Sequence, residues 1–227
     1  MFVTVQQTSK KLEKKVFFVS PIRTQLKEML ENRGLMSVVR KCSNGISEAK
    51  SEIITGDMYH LDPVLQAFSN FGENLSLAFS VDGIQPFQSL NKTLWLIPYT
   101  INVLDVHLKS RFLILNTLWF GKSKPDFNTF MIPFVNGINA IKNLFEKGIS
   151  WKDRDGIEHL KKLLAPIGIC YSPARCALAY MTQYNGWNGC TYCIHKGQTE
   201  KKRWWKKDIL VYPLNLPLPE NRTHSGT

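Results

Sequence analysis

Three groups of residues in this chain could do chemistry. Asp82 stands at the end of an alternating apolar run, Leu75, Leu77, Phe79 and Val81, in "NLSLAFSVDGIQPF" (Asn74 to Phe87). That period of two predicts a half-buried strand. The Asp-Gly pair that follows has two readings. It is a common turn pair, because glycine accepts positive φ and the Asp side chain bonds its own backbone. It is also a carboxylate at the lip of a sheet, where a hard divalent cation would find an anionic oxygen. The second group is Cys190-x2-Cys193 in "NGCTYCIHKG". Two thiolates at that spacing can grip one zinc from a tight turn. His195 is a candidate third ligand, and His224 in "RTHSGT" could fold back as a fourth. Two unconnected loop cysteines are the competing reading. Cys170 and Cys176 also compete as ligands, but they read as small core residues. The third group is "KGQTEKKRWWKK", where Lys196, Lys201, Lys202, Arg203, Lys206 and Lys207 face Glu200 alone, with Trp204 and Trp205 among them. Basic side chains neutralise phosphates while indoles stack on bases. A solvated loop pinned by its tryptophans, or a nuclear localisation signal, would use the same residues.

The elements that must position these residues can be read from periodicity. "PIRTQLKEMLENRG" (Pro21 to Gly34) predicts a short helix with Leu26, Met29 and Leu30 on one face and Gly34 as its stop. "KCSNGISEAKSE" (Lys41 to Glu52) reads as a loop, and a helix is expected after Pro63. The strand ending at Asp82 is followed by apolar runs at Thr93 to Leu104 and Arg111 to Gly121. Short connections make these three sequential antiparallel neighbours. A helix follows from Phe127, capped by Asp126 and stopped by Gly148. Phe127, Phe130, Met131, Phe134, Ile138, Ile141 and Phe145 line its apolar face. Pro133 and Gly137 predict a kink. A fourth strand is expected over Leu163 to Cys170 and a second helix over Ala174 to Gly186. The order is β-β-β-α-β-α, and the crossover into the fourth strand should be right-handed. Ribonuclease-H-like folds have this order.

Composition bounds what these elements can serve. The 227 residues are 44% hydrophobic, enough for one sizeable core. With 29 Lys+Arg against 18 Asp+Glu, the net charge is +11, which points to a polyanion, DNA before an anionic membrane surface. The start lacks a signal peptide's apolar segment. The longest apolar run, Phe112 to Phe120, is far shorter than the about 20 residues a bilayer needs. A nuclear or cytoplasmic location without a membrane role is expected. The five cysteines form an odd set, which argues for thiols or metal rather than a disulfide framework.

Four blocks together carry a resemblance. "LSLAFSVDGIQPFQSLNKTLWLIPYTIN", "LNTLWFGKSKPDFNTFMIPFV", "YSPARCALAYMTQYNGWNGCTYCIHKGQ" and "VYPLNLPLPENRTH" closely resemble consecutive blocks of CACTA (En/Spm-type) DNA transposases, from about Asp57 to His224. The resemblance implies an α/β, ribonuclease-H-like core of the DDE transposase type, incomplete, carrying a small zinc-binding insertion. It divides the chain into a basic segment with a short helix (1–50), the core (51–186), and the Cys/His insertion with the basic tail (187–227). That family uses three acidic residues and Mg²⁺ or Mn²⁺ to cut and join DNA. Asp82 in "SVDG" matches the first acid. The second normally opens "D-x-P-A-R"; this chain has "YSPAR", with Tyr171 in the acid's place and an uncharged Ser172 beside it. The third would lie beyond Thr227. Cys190, Cys193 and the "RTH" block match the family's metal-binding insertion. The expectation is a truncated, catalytically inactive transposase derivative in which Asp82 is a vestige. Residual DNA binding would fall to Lys201, Lys202, Arg203, Trp204, Trp205, Lys206 and Lys207. An incomplete sheet edge would invite self-association. Two alternatives stand beside it: a zinc-stabilised interaction module with no nucleic-acid role, and a nuclease or transposase subunit completed by another chain.

Overall fold

The computed structural model describes residues 2–6, 15–44, 53–61, 74–86, 92–179, 181–183, 185–201 and 208–212. It is a mixed α/β protein dividing into two compact units, Met1–Ile169 and Cys170–Thr227. In the first unit β1 (Phe2–Gln6) and β2 (Lys15–Val19) precede α1 (Ile22–Glu31), α2 (Leu35–Asn44), a 3₁₀ turn (Ile53–Thr55) and α3 (Asp57–Leu61). Then come β3 (Leu75–Ile84), β4 (Thr93–Ile101), α4 (Val106–Lys109), β5 (Ile114–Gly121), α5 (Phe127–Glu146), the hairpin β6 (Ile149–Lys152) and β7 (Glu158–Lys161), and β8 (Leu163–Cys170). The second unit holds α6 (Ser172–Leu178) and the hairpin of β9 (Gln198–Glu200) and β10 (Ile209–Val211). Among the described residues no helix is long and apolar enough to cross a membrane.

One mixed sheet organises the first unit, in the order β1-β2-β5-β4-β3-β8. β1 to β5 pair antiparallel with their neighbours. β8 runs parallel to β3: Leu75 N donates to Lys162 O (3.0 Å) at the start of both strands, and Gly168 meets the Phe79 ring further along both. The strand that carries Asp82 does not end there. β3 continues to Ile84, with Asp82 opposite Leu96 and Gly83 opposite Trp95. Asp-Gly is therefore not a turn in this fold. Gly83 is needed because the Trp95 indole lies across it; a Cβ there would sit 2.4 Å from the ring.

The core is an aromatic layer between the sheet and α5. The registers Phe17↔Trp119 and Trp95↔Trp119 line up three aromatic residues on one face. Phe127 packs edge-on to Trp95 (5.2 Å), Phe130 to Phe17 (6.2 Å), and Phe134 against both Phe79 (4.7 Å) and Tyr99 (6.3 Å). Phe127, Phe130, Phe134, Ile141 and Leu144 recur at helical steps, so one face of α5 meets the sheet. Asp126 caps α5 by accepting from Asn128 N (2.9 Å), and Gly148 at φ 74° follows its end. Helix α5 is assigned unbroken through Pro133. Phe145 departs from the expected apolar face, being 36% exposed.

Other boundaries shift for physical reasons. The second apolar run stops as a strand at Ile101, where Leu104 N bonds Ile101 O in a turn. Arg111 to Leu113 belong to a turn after α4 that closes through Phe112 N to Leu108 O. The predicted helix from Ala174 to Gly186 lasts only from Ser172 to Leu178; Met181 N reaches back five residues to Cys176 O, a bond that ends helices. Helix α1 buries Leu26, Met29 and Leu30 as expected, but the loop expected from Lys41 is still helix to Asn44. The expected helix after Pro63 lies outside the described residues.

Two substitutions test the core. Phe130→Ala removes a fully buried ring and should cost about 3–5 kcal/mol. Ile132→Ala, at a side chain 56% exposed, should stay within about 0.5 kcal/mol of the parent in urea unfolding. The buried Tyr99 hydroxyl has no partner among the described residues, and burial pushes its pKa up. Tyr99→Phe should therefore leave the urea midpoint unchanged or raise it.

Candidate metal and nucleic-acid sites

Asp82 is held by its strand rather than by a turn. Its Oδ1 accepts from Gly83 N (2.7 Å), and the side chain is half-buried. Because Gly83 shares its face with Trp95 and α5, Asp82 stands on the opposite face with its partner Leu96. Among the described residues no three His, Cys, Asp or Glu are placed together to hold a metal. Tyr171, at the matching position of the expected second acid, precedes α6 as its N-cap residue and is 73% exposed, with no side-chain capping bond.

The two thiols of the Cys-x2-Cys segment do come together. Cys193 Sγ lies 3.0 Å from Cys190 Sγ, and both residues are half-buried. Two sulfurs on one tetrahedral zinc, each at about 2.3 Å, stand about 3.8 Å apart. The pair would open by less than an ångström to take the ion. Its loop is already closed at the neck: Gly197 N donates to Trp187 O (2.6 Å), Tyr212 Oη donates to Gly186 O, and Gly189 N donates to Tyr212 Oη (2.7 Å). His195 is not grouped with the cysteines. Its ring meets Tyr212 edge-on at 6.1 Å. His224 lies outside the described residues. The expected core cysteine Cys176 is fully buried, whereas Cys170 is half-exposed.

Gln198, Thr199 and Glu200 pair with Val211, Leu210 and Ile209 in the β9–β10 hairpin, and the basic segment falls between these strands in sequence. Lys196 and Lys201 are exposed. Lys202, Arg203, Trp204, Trp205, Lys206 and Lys207 lie outside the described residues.

Two constellations were not foreseen from the sequence. Tyr192, between the cysteines, receives a hydrogen bond from Arg175 Nη1 of α6, and the guanidinium lies over its ring at 4.6 Å. In the first unit, the β6–β7 hairpin places His159 against Asp153 (2.7 Å) and stacked on Trp151 (4.7 Å). This hairpin borders a cavity of about 340 Å³ with Ser37 and Arg40 of α2. The turn was signalled by Asp153-x-Asp155-Gly156, with Gly156 at φ 78°. The His159 hydrogen bond, then the Ile157 amide, hold the Asp153 carboxyl below its ordinary range. A depressed folded value means that this contribution is present above the unfolded value, near pH 4, and lost as pH falls through the folded one. The Tm difference between the parent and Asp153→Asn should therefore shrink as pH is lowered below about 4. A constant difference would mean the carboxylate charge is not what Asp153 contributes.

No protein-family model matches the chain, and no curated protein matches it in sequence.

Proposed function

We propose that this chain is a DNA-binding derivative of a CACTA-type transposase core that has lost nuclease chemistry. The support is the position of Asp82. It stands on β3, flanked by antiparallel β4 and parallel β8, with β5 beyond β4 and α5 joining β5 to the β6–β7 hairpin that leads into β8. A ribonuclease-H-like domain of this family keeps its first catalytic acid on the equivalent strand. The position of the second acid holds Tyr171, whose neutral phenol cannot replace a carboxylate as a ligand for Mg²⁺. Two-metal phosphodiester cleavage needs several anionic ligands to hold two cations about 3.5–4 Å apart. Asp82 alone supplies too little charge for that.

Zinc belongs to the same reading. Cys190 and Cys193 would hold it as thiolates, with His195 and His224 as the remaining ligands. Zinc there would brace the loop rather than react, since binding energy in such sites is folding energy. His195 would have to turn from Tyr212 to reach it. The purified, reduced chain should carry close to one equivalent of zinc after dialysis, measured by elemental analysis. A folded sample with none would remove the zinc insertion from the proposal.

DNA contact falls to the β9–β10 connection. Lys201, Lys202, Arg203, Lys206 and Lys207 neutralise phosphates, and Trp204 and Trp205 stack on exposed bases. Binding should be independent of sequence, with dissociation constants on the order of 10⁻⁴–10⁻⁶ M at physiological salt. Neutralising the five basic residues should weaken binding to every duplex alike and flatten its salt dependence, read by fluorescence anisotropy. Trp204→Ala and Trp205→Ala should matter more for single strands. No cleavage of duplex DNA is expected with Mg²⁺ or Mn²⁺. Nicking abolished by Asp82→Ala would favour a subunit completed by another chain. An unchanged salt slope after the five neutralisations would favour a zinc-braced interaction module.

A further inference from the structure

The Cys190–Cys193 pair stands between two chemical fates. Its sulfurs, 3.0 Å apart, must part by under an ångström to share a zinc and must close by about one ångström to reach the 2.05 Å of a disulfide. Among the described residues no third ligand joins them. Both residues are half-buried rather than enclosed in the core. The loop that carries them is tied at its neck by the Gly197–Trp187 bond and by Tyr212 on Gly186 and Gly189, so the pair is held together before any bond forms.

We infer that Cys190 and Cys193 form a reversible dithiol–disulfide couple, a redox modification site in which oxidation takes the place of zinc. The oxidant is a low-molecular-weight disulfide such as oxidised glutathione. One cysteine thiolate attacks it, forming a mixed disulfide and releasing one glutathione thiolate. The second cysteine thiolate then attacks the protein sulfur and expels the other. Two protein thiols lose two electrons and two protons, and one glutathione disulfide becomes two glutathione thiols. The product closes a small ring around Thr191 and Tyr192. Tyr192 is the residue on which Arg175 rests, so oxidation fixes the loop end of the Arg175–Tyr192 contact. The couple requires neither DNA nor an acidic triad.

The test uses the full chain, reduced and stripped of metal by a chelator, then equilibrated with graded ratios of reduced to oxidised glutathione. Mass spectrometry should show loss of the mass of two hydrogens without a lasting glutathione adduct. Peptide mapping should place the cross-link between Cys190 and Cys193, and dithiothreitol should reverse it. Cys193→Ser should instead keep a stable glutathione adduct on Cys190. If that variant does not fold, mapping of the parent chain decides alone. Both thiols remaining alkylatable at every ratio would overturn the proposal. So would a persistent adduct on the parent chain, or a cross-link to Cys170 or Cys176. Zinc added before oxidation should slow the loss of thiols at least tenfold. Disulfide formation that zinc does not slow supports the couple and counts against the zinc site only. Bound zinc with no disulfide in the metal-free chain counts against the couple only.

Discussion

The packing of one helix on one sheet governs the larger unit. Phe130 and Phe134 of α5 lie on Phe17, Phe79 and Tyr99, residues drawn from β2, β3 and β4. Aromatic rings bury large areas and pack well at tilted or edge-on angles, so a few such contacts fix both the height and the rotation of a helix. The sheet is shaped to receive them. Gly83 leaves room for the Trp95 indole, and Gly168 leaves room for the Phe79 ring, where a Cβ would come within 2.5 Å. A side chain at either glycine would force an aromatic out of the layer. The glycine of the Asp-Gly pair is thus explained by packing, and the aspartate beside it is free of any turn-forming duty.

What could be read from the sequence was what repeats locally. The three antiparallel strands, α5 with its Asp126 cap, and the strand from Leu163 to Cys170 all have periodicity or punctuation inside a short window. The β1 and β2 strands do not. "KVFFV" is five residues after a lysine-rich stretch, and nothing local shows that Phe17 will pair beside Trp119, a hundred residues away. The same limit applies to α6. "ARCALAYM" is made mostly of good helix formers, yet the chain leaves the helix after Leu178, where Met181 N bonds Cys176 O. Propensity is a weak prior wherever such bonds compete.

The candidate sites divide along the same line. Cys190 and Cys193 were legible as a pair because three residues of separation place both on one turn. Their neighbours were not. Tyr212 closes the loop from the far side of the β9–β10 hairpin, and Arg175 reaches Tyr192 from α6. His195 looked like a ligand because it stands two residues from Cys193. In the structure its ring meets Tyr212 edge-on, a contact that the spacing does not show. Spacing shows which side chains can share a turn; it does not show where a ring will pack.

Asp82 shows how a fold can keep a carboxylate inside a sheet. Several acids clustered at one sheet edge repel one another, and a cation is then needed to hold them together. Asp82 is not part of any group of three or more His, Cys, Asp or Glu among the described residues. Its Oδ1 takes the neighbouring Gly83 amide, and the half-buried position leaves the carboxylate access to water. A hydrogen-bonded, partly hydrated carboxylate costs the fold little. The strand, the aromatic layer beneath it and the glycine beside it can therefore carry the carboxylate at small cost. On the transposase reading, exchanging the second acid for Tyr171 removes chemistry and like-charge repulsion together. On that reading, the scaffold can outlast the activity.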